Sequence, residues 1–199
     1  MIMVSVRRFV LVKKLLICLG LSLTLLLTAC GGSFYMKTTD PRPVLAAKSN
    51  KAVLVIIRQE RVFHDKFVID NFLDGKMIGQ TQSKCYFVTE VKPGMHYLTA
   101  NAQNYDTALI NFVAGRIYFL QQGTFQGYHA VTTRYIPMSL SEAKSQIQNA
   151  AYLSYGAANS GNDMSEKDFQ NEKDKYEKEV KADPTSHKDT SDYQGYGRL

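Results

Sequence analysis

No Cys-x-x-Cys pair occurs in this 199-residue chain, whose three cysteines stand apart at positions 18, 30 and 85. That removes the paired-cysteine metal and redox motifs. There is no Gly-x-Ser-x-Gly elbow, no His-Glu-x-x-His helix and no glycine-rich phosphate loop. The four histidines, His64, His96, His129 and His187, are scattered without ligand-like spacing. His64 beside Asp65 reads as a surface turn, and His96, just after Pro93-Gly94, as a cap on a sheet edge. No catalytic residue, metal site or cofactor is expected, and the chain reads as a non-enzyme.

A basic folded body is also lacking, despite a formal net charge of +6. Arg7, Arg8, Lys13 and Lys14 carry +4 within residues 1–29, which contain no acid. From Cys30 onward 20 basic side chains face 18 acidic ones. A nucleic-acid partner needs a basic face on the folded domain, so none is expected.

A long membrane-spanning run is missing too. Leu15 to Ala29 is fifteen residues without charge, and as a helix it covers ~22 Å of a ~30 Å hydrocarbon core. A basic stretch followed by a short apolar one is the pattern of an export signal; a permanent span is the alternative. Cys18 within it reads as an ordinary apolar-segment cysteine.

The run ends as Leu27-Thr28-Ala29-Cys30. This resembles the lipobox of bacterial lipoproteins: a leucine, two small residues and the cysteine. The resemblance implies a diacylglycerol on the Cys30 thiol, cleavage between Ala29 and Cys30, and acylation of the new amino group. It makes residues 1–29 a removed leader and places the protein in the bacterial envelope, held to the membrane through Cys30. Two or more chains anchor stably, at ~0.8 kcal/mol per buried CH₂. Gly31, where an Asp favours retention in the inner membrane, is similar to the pattern sorted to the outer membrane, facing the periplasm. Cys85 is then the one remaining thiol. Within "CYFVTEV" it reads as a buried structural residue.

Residues 30–50, with Pro41 and Pro43 and no apolar period, read as a lipidated tether. As a flexible coil, twenty residues have a root-mean-square span of ~25 Å. The body, 51–155, opens with "AVLVIIRQ" (52–59), a β-branched run that marks a strand buried on both faces. Short segments follow at 66–72, 76–81, 85–91, 95–102, 108–113, 116–122 and 128–136. Asp74-Gly75, Pro93-Gly94 and Ala114-Gly115 punctuate them as turns. This spacing predicts a mainly β protein, an antiparallel β-sandwich of about seven or eight strands.

The ordered set "AVLVIIR" (52–58), "DGKMIG" (74–79), "PGMH" (93–96) and "AGRIYF" (114–119) resembles a family of small bacterial lipoproteins. That family is described only as a domain of unknown function, with a transthyretin-like or carboxypeptidase-regulatory-like sandwich. The resemblance covers about residues 50–150 and implies fold and compartment, with no assigned reaction.

"SLSEAKSQIQNAAYL" (139–153) predicts a short packed helix. Ser139 and Glu142 form a capping box, and Leu140, Ala143, Ile147 and Ala151 share one face. The extension 156–199 is expected to hold a linker, a charged helix over 163–182 and a disordered tail. The helix carries a thin stripe of Phe169, Tyr176 and Val180, so it is expected to be solvated and only partly formed, with docking to a partner as the alternative. Tyr193 and Tyr196 are a candidate contact motif in the tail.

The expected function is that of a lipid-anchored envelope protein whose non-catalytic sandwich binds a protein or glycan partner. The alternative is a docking lipoprotein subunit of a multi-protein envelope or secretion assembly, because some secretion systems use a lipoprotein with a similar sandwich.

Overall fold

The run Ala52–Arg58 forms β2, and all seven of its residues are buried. Alternate side chains point to opposite faces of a strand, so Ala52, Leu54 and Ile56 join one apolar cluster and Val53, Val55 and Ile57 another. A strand can bury both faces only in the middle of a sheet that is covered on both sides. The computed structural model, which describes residues 36–59, 67–126, 130–155, 163–183 and 190–197, has this arrangement.

The other elements in chain order are β1 (Met36–Thr38), β3 (Ile69–Leu73), β4 (Lys76–Thr81), β5 (Cys85–Val91), β6 (Gly94–Asn101), β7 (Tyr105–Phe112), β8 (Ile117–Gln126), β9 (Val131–Pro137), α1 (Leu140–Asn149), β10 (Ala151–Tyr155) and α2 (Glu166–Ala182). They build a six-stranded sheet, β1-β10-β5-β2-β8-β9, and a four-stranded sheet, β4-β3-β6-β7. The chain is mainly β, in a sandwich-like arrangement, as its strand spacing predicts. The described strands number ten because two short ones, β1 and β10, lie where no strand is expected. Most pairings are antiparallel; β2 with β8 and β10 with β5 run parallel.

Between the sheets lie Leu54, Ile56, Phe87, Leu98, Ile110, Phe112, Tyr118 and Leu120, all buried. Burying each such side chain contributes ~1.5–3 kcal/mol, so this cluster dominates the stabilising side of folding. On the far face of the six-stranded sheet, Val53, Val55, Ile57, Tyr86 and Phe119 are covered by Ala143, Leu140 and Ile147 of α1, by Leu45 and Ala47, and by Tyr196.

The segment expected as a tether is thus part of the fold from Met36 on. Thr39 N donates to Tyr152 O at 3.1 Å. Arg42 Nη1 reaches the last-turn carbonyls of α1, Ile147 O at 2.8 Å and Gln148 O at 3.4 Å. No basic residue sits in the last turn of α1 itself, so Arg42 supplies from outside the cation that a helix C-terminus favours. A three-residue edge strand is too short to show a period, which is why nothing in 36–50 announces it.

The helix predicted over 139–153 stops at Asn149. The Ser139–Glu142 capping box is present. Residues 151–155 turn extended because they alternate: Leu153 packs between the sheets and Tyr152 on the other face against Tyr86, ring centroids 5.4 Å apart.

The C-terminal extension folds back. Helix α2 lies on the outer face of the four-stranded sheet, where Tyr97 meets Phe169 and Tyr176 edge-on at 6.3 and 5.6 Å. Its start is fastened by Asp163, which accepts from Met77 N and from Lys76 Nζ, both at 2.9 Å. Those two bonds, the backbone one first, hold the Asp163 carboxyl below its ordinary value. The stripe read as thin is used within the chain, and the helix is complete over seventeen residues. In the tail, Tyr196 bridges Ile117, and the Tyr193 and Tyr196 hydroxyls donate to Met138 O at 3.2 and 2.9 Å. Their contacts are thus with their own sheet, and burial pushes the Tyr193 phenol up to about 12.

Candidate functional site

Three of the four sequence motifs turn out to be joints of the fold, the fourth being the strand β2 itself. Asp74 and Gly75 both have positive φ, 49° and 77°, the conformation of a two-residue hairpin turn. The Asp74 carboxylate accepts from Tyr97 N at 2.9 Å and meets His96 Nδ1 at 2.5 Å, while His96 Nε2 faces Lys92 O at 2.9 Å. The "DGKMIG" and "PGMH" stretches are therefore clamped together, and both nitrogens of His96 are engaged. In "AGRIYF", Gly115 N donates to Lys51 O at 2.8 Å and the Tyr118 hydroxyl accepts from Val113 N at 2.8 Å.

A second set of polar side chains is buried between the sheets. Thr81 Oγ1 donates to Gln122 Oε1, Gln122 Nε2 to Asn71 Oδ1 at 2.8 Å, and Tyr135 OH to the same oxygen at 2.6 Å. Asn71 Nδ2 donates onward to Ile69 O at 3.1 Å. The network joins β3 and β4 of one sheet to β8 and β9 of the other, and burial pushes the Tyr135 phenol well above its ordinary value. Arg58, at the end of β2, donates to Phe67 O and to Thr81 O. These groups stitch the layers together.

Cys85 belongs to the same region. Its thiol donates to Gln82 O at 2.8 Å, and burial pushes it up to about 11 against an ordinary 9.0. A thiol held protonated is a poor nucleophile.

An open polar groove of about 480 Å³ lies between the β6–β7 hairpin, β9 and α2. One wall is the hairpin end, where Asn101 pairs with Tyr105; the others are Thr132 and Arg134 on β9 and Glu172 and Lys175 on α2. Two contacts cross the groove and a third lies along α2. Gln103 Oε1 accepts from Val131 N at 2.8 Å, Lys175 Nζ donates to Tyr105 O at 3.3 Å, and Lys175 pairs with Glu172 at 3.2 Å. The Arg134 guanidinium lies over the Phe125 ring at 5.0 Å. A smaller recess of about 260 Å³ opens beside Arg58, Lys84 and Gln146.

Of the residues singled out from sequence, Leu27, Thr28, Ala29, Cys30 and Gly31 lie outside the described residues, as do His64, His129 and His187. His96 is brought to Asp74 rather than to another histidine. Among the described residues no three His, Cys, Asp or Glu side chains gather as a metal site, and no helix is long and apolar enough to cross a membrane. The groove was missed by sequence reasoning. Its one signal is the concentration of Asn101, Gln103 and Asn104 around Tyr105; the other walls come from about 30 and about 70 residues further on, a distance that spacing does not report.

Comparison with protein-family profiles, with curated proteins and with solved structures finds no match to this chain.

Proposed function

We propose that this chain is a lipid-anchored protein of the bacterial envelope, moored through Cys30 at the outer membrane, whose sandwich binds a partner in the α2–β9 groove without chemistry. The observation that carries the binding part is a contrast among polar side chains. Those between the sheets hydrogen-bond one another, whereas Asn101, Asn104 and Arg134 line an open groove that contacts of Gln103 and Lys175 cross. The non-catalytic part rests on the best nucleophile and base candidates that are described. Cys85 is kept protonated by burial, and His96 has both nitrogens engaged. The anchor rests on Leu27-Thr28-Ala29-Cys30 behind a short uncharged run.

The described fold begins close behind that anchor in the sequence. Five residues separate Cys30 from the first strand, so the covalent chain spans at most ~20 Å rather than the longer tether expected from composition. The alternative of a docking subunit of a larger assembly is less favoured, because the aromatic stripe of α2 packs on its own sheet.

Metabolic labelling with palmitate tests the reading. Label enters the wild-type protein and is absent from Cys30→Ser. An unlabelled wild type, or a labelled Cys30→Ser, overturns the anchor.

A further inference from the structure

We propose that the groove is a binding site for an uncharged saccharide, an assignment that rests on the groove being the binding surface. The chemistry of its lining narrows the ligand by steps. Ligand clefts are ordinarily mostly apolar, and this one is lined mainly by amides, the Thr132 and Tyr105 hydroxyls and charged groups, which argues against a lipid or another apolar molecule. The cationic side chains of its lining are Arg134 and Lys175, the latter already paired with Glu172, so a polyanion finds no basic cluster to bind. A cation meets those two positive side chains, and no three carboxylates converge on one point among the described residues. A neutral, hydroxyl-rich ligand remains.

The groups present suit such a ligand. Asn101 and Asn104 make no side-chain hydrogen bond among the described residues, and each primary amide offers a donor pair and an acceptor. An amide of this kind matches two neighbouring hydroxyls, one giving and one taking. Arg134 has an aromatic ring under its guanidinium and no carboxylate against it among the described residues, so its N–H groups are available to ring and hydroxyl oxygens. The Tyr105 ring, at the hairpin end, gives an apolar face for the C–H side of a sugar ring. Its own position is fixed edge-on against Phe72 at 6.4 Å. The size fits, since clefts of ~300–1,000 Å³ take small ligands and this one is about 480 Å³. Because hydroxyls replace water one for one and little apolar area is buried, binding is weak.

The experiment uses the mature lipidated protein in a sugar-free zwitterionic detergent, titrated calorimetrically with maltotetraose, chitotetraose, a heparin fragment and a neutral peptide. A neutral saccharide binds with a dissociation constant of about 0.1–1 mM. Arg134→Ala and Asn104→Ala each weaken it about tenfold while the melting temperature stays unchanged. Saccharide heats absent at about 10 mM, or heats unaffected by both variants, overturn the proposal. Peptide or heparin binding that both variants weaken overturns the saccharide and leaves the groove standing as a binding surface. No binding by any probe removes the groove as well. None of these outcomes alters the palmitate result, so the anchor is judged separately.

Discussion

Asp74 and His96, 22 residues apart in the chain, meet at 2.5 Å, and the same carboxylate takes Tyr97 N at 2.9 Å. One side chain thereby ties the β3–β4 turn to the start of β6. A hydrogen bond to a charged group is worth ~1.5–3 kcal/mol, and Asp also tolerates the positive φ of 49° that this turn demands. Asp74→Ala loses both and costs about 2–3 kcal/mol in urea unfolding. Asp74→Asn keeps the backbone tolerance and an acceptor, and costs less. Equal losses for the two variants contradict this account of the turn.

The neighbouring Gly75 lies against α2. A Cβ placed on it would come within 3.2 Å of Phe169 Cγ, at a φ of 77° that disfavours any other residue. Gly75→Ala therefore displaces Phe169 and loosens α2. Hydrogen exchange is expected to quicken across 166–182 while the strands of the six-stranded sheet keep their protection. Tyr97→Ala, which removes the ring that Phe169 and Tyr176 pack on, is expected to do the same. Exchange in α2 unchanged by both variants means that the helix is held by something else.

Thr133 Oγ1 is buried between the sheets with no hydrogen-bond partner among the described residues. An orphaned polar group of this kind costs ~1–3 kcal/mol. Thr133→Val keeps the shape and removes the hydroxyl, so it raises stability by about 1 kcal/mol. Tyr135→Phe does the reverse, because it takes a donor from Asn71, and costs about 1–2 kcal/mol. Chemical denaturation of the two variants reads both signs at once.

The alkaline limb of stability carries a mark of Cys85. Burial raises its folded value to about 11, above the 9.0 of an exposed thiol. Below pH 9 both states hold the proton and stability is unaffected. Between pH 9 and about 11 the unfolded chain ionises first, so stability falls, by up to about 3 kcal/mol. Tyr193, raised from 10.0 to about 12, adds its own loss from pH 10 upward, and Cys85→Ala isolates the thiol. The variant is expected to lose less stability than wild type between pH 8 and pH 11; identical slopes contradict a buried, protonated Cys85.

Much of the architecture was legible where residues speak locally. The β-branched run at 52–58 announces a central strand, Asp74-Gly75 a hairpin, and Ser139 with Glu142 the start of α1, and each is found in place. What composition hid depends on distant partners. Met36–Thr38 is a strand only because β10 lies beside it, and Ala151–Tyr155 leaves the helix because Leu153 finds a place between the sheets. Helix α2 reads as solvated until Tyr97 supplies its aromatic seat, and the groove exists only once that helix is docked. Local chemistry writes turns and caps into a sequence; long-range burial decides between equally plausible states of a polar segment.

The account depends most on Cys30, and the mass of the mature amino-terminal peptide tests it most directly. A chain beginning at Cys30 and carrying diacylglycerol, with or without a third acyl chain on its amino group, is the expected result. A peptide with an unmodified Cys30, or one still joined to residues 1–29, contradicts it.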